Sequence, residues 1–120
     1  MRPTEIMAKL PNLKKAAIKR EKIEGYLLSS VHSIGRGKAK FFTKYGFVRE
    51  RWHQLEQALL AHAASNDVRQ AIDNDYGRKY VIEGPLLTPD GRSPFVRAIW
   101  LIGNDTGIPE FVTAYPCDEK

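Results

Sequence analysis

Up to about residue 65 the apolar residues recur every three or four positions; beyond Asn66 they recur every second one. Ile23, Tyr26 and Leu27 fall at i, i+3 and i+4, which predicts a short helix over 19–29, ended by Ser29-Ser30 and then Gly35 and Gly37. A second short helix is predicted over 38–45, with Ala39, Phe41 and Phe42 as its apolar residues and Gly46 as its stop. The clearest helix spans 49–65: Trp52, Leu55, Leu59 and Ala63 repeat at helical spacing, and Ala58, Leu60 and Ala61 broaden the stripe. The period of two then gives strands at 68–74, 78–83, 95–102 and 110–115, separated by Asp75-Tyr76-Gly77, by Pro89-Asp90-Gly91 and by a Gly103 to Gly107 loop. Four strands on short loops imply an antiparallel sheet whose apolar face needs the Trp52 helix as a cover. The expected fold class is α+β, with N-terminal helices packed on a four-stranded antiparallel sheet. Trp52 and Trp100 both read as core.

A chain of 120 residues suits a single domain with one modest core. Its expected divisions are an irregular basic arm (1–9), a helical part (10–65), the sheet (66–116) and a tail (117–120), with a short turn near 13–18. Hydrophobic content of 42% with 28% charged residues is ordinary for a globular protein. No apolar run approaches the ~20 residues that cross a bilayer, and the N-terminus lacks the apolar core of a secretory signal, so no membrane partner and a cytoplasmic chain are expected. A lone cysteine, Cys117, excludes an internal disulfide and any cysteine metal cluster.

The net charge of +5 is unevenly placed. Between residues 9 and 51 twelve lysines and arginines stand against Glu21, Glu24 and Glu50. A basic half of this kind suits an anionic partner such as RNA. The usual enzyme signatures are absent: there is no Walker loop, no His-Glu-x-x-His, no Gly-x-Ser-x-Gly and no Cys-x-x-Cys. Asp73, Asp75 and Asp90 sit in or beside turns, so no metal site and no cofactor is expected. His53 and His62, nine residues apart on the long helix, read as surface or boundary residues.

The stretch "SSVHSIGRGKAKFF" (29–42) is different, because it sets His32 in a loop with Arg36, Lys38 and Lys40 close behind. Metal-free RNA cleavage needs such groups: a base for the 2′-OH, an acid for the leaving oxygen, and cations for the anionic transition state. A histidine, with an unperturbed pKa of about 6.5, suits the proton transfers. Lysine and arginine suit the phosphoryl oxygens. The plain alternative is a solvated turn between two helices, with glycines for the bend and cations for solubility.

Four ordered blocks carry a further signal: "LPN" (10–12), "YLLSSVHSIGRGKAKFF" (26–42), "GRKYVIEGPLLTPDGR" (77–92) and "VTAYP" (112–116). Together they resemble an uncharacterised family of small bacterial domains, found alone and as C-terminal tips of large toxins. The layout of that family looks like the barnase, EndoU, colicin and RelE ribonuclease group. The resemblance marks His32, Gly35, Lys38, Lys79, Tyr80, Arg92, Thr113 and Tyr115. It implies a metal-independent endoribonuclease of toxin type, secreted or delivered if part of a larger protein, with a cognate immunity or antitoxin protein as partner. The alternative is a non-catalytic, partner-binding component of a two-gene toxin–antitoxin or toxin–immunity pair.

Strand parity puts Thr113 and Tyr115 on one face of the last strand and Val112 and Ala114 on the other, while Arg97 and Ile99 share a face of the third. The expected catalytic set is His32, Lys38, Thr113 and Tyr115, with Arg36, Lys40, Lys79 and Arg97 binding substrate. Arg92, after Asp90-Gly91, reads as a solvated hairpin residue.

Overall fold

Four antiparallel strands lie side by side in chain order: β1 (Val68–Asn74), β2 (Gly77–Pro85), β3 (Phe95–Gly103) and β4 (Pro109–Pro116). The computed structural model describes residues 8–29 and 36–118, with Arg36 given by its backbone alone. The β1–β2 turn is tight because the Asn74 Oδ1 accepts hydrogen bonds from the backbone N–H groups of Tyr76 (2.8 Å) and Gly77 (3.0 Å). Tyr80 pairs with Trp100, Glu83 with Arg97 and Gly84 with Val96 across β2–β3. Arg97 faces Tyr115 and Ile99 faces Thr113 across β3–β4.

Ahead of the sheet come α1 (Arg20–Lys22), α2 (Arg36–Lys44) and α3 (Trp52–Ser65). The predicted helix over 19–29 is only partly α-helical. After α1 the chain widens into a π-helical turn over Ile23–Leu27, in which the Leu28 N–H donates to the Ile23 carbonyl (2.8 Å). The long helix begins later than its apolar pattern suggested, with Arg49–Arg51 forming a 3-10 turn before it.

The core lies between these helices and one face of the sheet. Leu55, Ala58, Leu59 and Ala63 of α3, with Ile23, Leu27, Phe42 and Phe47, cover Ile82, Val96, Ala98, Trp100, Phe111 and Ala114. Trp100 is fully buried, as expected. Trp52 is not: it is partly buried, with the Arg20 guanidinium 4.9 Å from its ring centre and His53 stacked on it. His62 reverses its expectation as well, since only 2% of it is exposed. Its Nε2 faces the carbonyls of Val96 (3.0 Å) and Gly84 (3.2 Å), which fixes that nitrogen as the protonated one. Gly84 can lie there because it has no side chain: a Cβ would collide with the Asn66 side-chain amide.

Both margins of the sheet are tied to the N-terminal segment. The Val68 N–H donates to the Ala8 carbonyl (2.8 Å), beside a Lys9–Asp67 ion pair (2.6 Å). At the other margin Ala17 runs parallel to β4, its N–H donating to the Pro109 carbonyl and its carbonyl accepting from Phe111. That pairing occupies part of an otherwise open strand edge. No helix among the described residues is long and apolar enough to cross a membrane.

Candidate functional site

Two departures from regular backbone build the site. The first is the π-helical turn, which keeps Ile23 and Leu27 fully buried and brings Gly25 and Tyr26 beside β4. The second lies in β4 itself. The register passes from Ile99–Thr113 to Trp100–Phe111, so Val112 is an extra residue with nothing opposite it. Such bulges re-aim neighbouring side chains. Here Phe111 and Ala114 both serve the core while Thr113 and Tyr115 stay on the outer face, with Arg97 and Ile99, as strand parity predicts.

The helical part meets β4 at this point. The Tyr26 and Thr113 hydroxyls are hydrogen-bonded at 3.1 Å, and the Lys22 Nζ donates to the carbonyl of the bulged Val112 at 3.2 Å. The Lys38 ammonium, from the first turns of α2, stands 5.6 Å from the centre of the Tyr26 ring and 5.9 Å from that of Tyr115. The Arg97 guanidinium lies 5.7 Å from the Tyr115 ring, and Lys22 lies 5.6 Å from that of Tyr26. Cations and rings therefore alternate along the rim of the sheet, in the order Arg97, Tyr115, Lys38, Tyr26, Lys22. These separations sit at the far end of the cation–π range, where each contact is worth about 0.5–1 kcal/mol at an exposed position. An anion offering charge-assisted hydrogen bonds would displace the ring from either lysine.

Arg97 differs from the lysines in being already paired. Its Nε and Nη2 both donate to the Glu83 Oε2, at 2.6 and 2.5 Å, and Arg69 reaches the other Glu83 oxygen at 3.9 Å. The Tyr115 hydroxyl and then the Glu83 carboxylate push its pKa still further above its usual value. It is better placed to orient Tyr115 than to neutralise a phosphate. Lys79 lines the same 310 Å³ cleft on the outer face as Val81, Ile99 and Tyr115. It stands four residues along β2 from Glu83, about 13 Å away at the usual rise per residue. Lys40 is exposed and lies roughly 200° around α2 from Lys38, so it points elsewhere.

Of the expected set, Lys38, Arg97, Thr113 and Tyr115 come together. His32 and the Arg36 side chain lie outside the described residues. Tyr80 packs on the core side of the sheet. Arg92 is a clasp: its Nε meets the Asp90 carboxylate (2.6 Å), its Nη2 donates to the Lys44 carbonyl (2.8 Å), and it stacks 4.3 Å from the Tyr45 ring centre. Tyr26 and Lys22 were missed, because their apolar and basic neighbours made them look like one stripe and one solvated face of an ordinary helix. The legible signal was their i, i+4 spacing. Among the described residues no group of three or more His, Cys, Asp or Glu is placed to hold a metal ion. Burial pushes the Cys117 thiol up, aided by the Glu83 charge, which makes it a poor nucleophile.

The model of a family described as "Domain of unknown function (DUF6883)" matches residues 9–118. A chain of a solved contact-dependent growth inhibition toxin–immunity protein complex from Klebsiella pneumoniae 342 superposes with a TM-score of 0.68. It is 16% identical, and the match covers 89% of this chain and 97% of that chain. At that identity the likeness establishes a shared fold. A search of functionally curated proteins found no match.

Proposed function

The chain belongs to the DUF6883 family, and we propose that it is a metal-independent endoribonuclease, the effector domain of a bacterial toxin system. The observation that carries this reading is the row Arg97–Tyr115–Lys38–Tyr26–Lys22 along one rim of the sheet. Single-stranded RNA is held by such a row, since cations track its phosphates and flat rings accept its bases. In the reaction the ribose 2′-oxygen forms a bond to phosphorus and the bond to the 5′-oxygen breaks. A base takes the 2′-hydroxyl proton and an acid protonates the departing oxygen.

Lys38 supplies the positive charge for the phosphoryl oxygens, and the Thr113 and Tyr115 hydroxyls orient them. His32, four residues before α2, is the proposed acid or base. The Klebsiella complex contains an immunity protein, which supports a cognate immunity or antitoxin partner here. The same observation supports the second reading, a non-catalytic chain that is itself the partner-binding component.

A cleavage gel separates the two. The purified protein is expected to cut single-stranded RNA equally with and without EDTA. Lys38→Ala should lower turnover about 100-fold or more, with melting unchanged. His32→Ala should lower it by about 10²–10⁴. Lys15→Ala, an exposed cation away from the row, serves as the unaffected control. No cleavage by the wild type would leave the partner-binding reading, and equal cleavage by wild type and both site variants would overturn the roles given to Lys38 and His32.

A further inference from the structure

Beyond Tyr26 the row opens into a cavity of about 600 Å³, lined by the π-helical turn on one side and the β4 bulge on the other. Its size is within the roughly 300–1,000 Å³ of small-molecule sites. π-turns and strand bulges are both irregularities that cluster at functional sites, and here one of each borders the same space. Gly25 lines it too. A Cβ built on Gly25 would meet no atom within 4 Å. Glycine weakens a helical turn, and no neighbour here requires one, so its effect is to leave the cavity open.

We infer that this cavity is a nucleobase subsite, taking the base next to the phosphate held by Lys38; the assignment rests on the RNA-cleavage reading above. The Tyr26 ring forms its stacking wall, and the hydrogen bond between the Tyr26 and Thr113 hydroxyls anchors the outer end of that ring against β4. Lys19 and Lys22 are among the lining residues and supply positive charge for the adjoining phosphates. Glu21 is the one carboxylate among the lining residues. An ionised carboxylate only accepts hydrogen bonds. It therefore favours bases with an exocyclic amino group and disfavours uracil, whose single ring N–H lies between two carbonyl oxygens.

The test uses the full chain and short fluorescent 2′-O-methyl oligonucleotides of adenine or of uracil, which bind like RNA but lack the attacking hydroxyl. Anisotropy titrations are expected to show tighter binding of the adenine strand. Gly25→Leu, melting like wild type, should weaken it roughly ten- to hundredfold, the range of one lost base–aromatic stack. Glu21→Gln, an exposed and structurally quiet change, should narrow the preference for adenine over uracil. Wild-type binding by Gly25→Leu, or an unchanged preference in Glu21→Gln, would overturn the subsite. If Gly25→Leu fails to fold, the Glu21→Gln preference decides alone. A wild-type protein that cleaves no RNA yet loses binding on Gly25→Leu would retire the nuclease and leave the subsite standing. Normal cleavage with normal binding by both variants would retire the subsite alone.

Discussion

Protonating His62 would place a second N–H, on Nδ1, in a buried position where that nitrogen has no hydrogen-bond partner among the described residues. Burial accordingly holds the His62 pKa below its ordinary value, although the Val96 and Gly84 carbonyls pull the other way. The unfolded chain takes up a proton near pH 6.5 that the folded chain refuses. The stability His62 contributes is thus complete above that pH and is lost as the pH falls toward the folded-state pKa. The loss cannot exceed about 1.4 kcal/mol per pH unit. Urea denaturation of wild type and of His62→Gln, at about pH 7.5 and about pH 5.5, reads the effect. The wild type should lose up to roughly 1 kcal/mol more than the variant over that interval. Equal losses would mean that His62 does not couple folding to protons. His53 and His62 look alike in the sequence, both histidines on one helical pattern. What separates them is a pair of carbonyls 22 and 34 residues further along the chain, beyond the reach of any local pattern.

The same limit explains which elements were legible. The predicted strand at 68–74 matches β1, and the other three strands lie within a residue or two of their predicted ends, because alternation and turn chemistry are local. Thr113 and Tyr115 were correctly paired on one face for the same reason, and the ring-and-lysine site owes its β-half to that parity. The π-turn and the bulge at Val112 were invisible. Each is an insertion whose only mark is a contact with a distant element, such as Lys22 meeting the Val112 carbonyl. Arg92 shows how a resemblance can mark a residue without giving its job. As a clasp joining the β2–β3 loop to the end of α2, Arg92→Ala should lower stability by about 1 kcal/mol, the worth of its lost charged hydrogen bonds. RNA cleavage at a temperature where the variant stays folded should be unchanged. A cleavage defect without a shift in melting would instead make Arg92 a substrate ligand.

Across the whole molecule the chain is divided by how far apart its partners lie. The four strands pair with one another in sequence order, each beside its neighbour in the chain, and contacts of that kind close small loops and form quickly. The rim where Tyr26 meets Thr113 joins residues 87 positions apart, a closure with a larger entropic cost. The site is thus built from one half expected to form early and another expected to arrive late. On refolding from urea, β-sheet circular dichroism should recover before RNA cleavage does, and simultaneous recovery would refute that order. Under the proposed function, a newly made copy of this chain would then pass through an interval in which its sheet is formed and its RNA cleavage is still switched off. The delay needs no inhibitor: it is a timer written in chain connectivity.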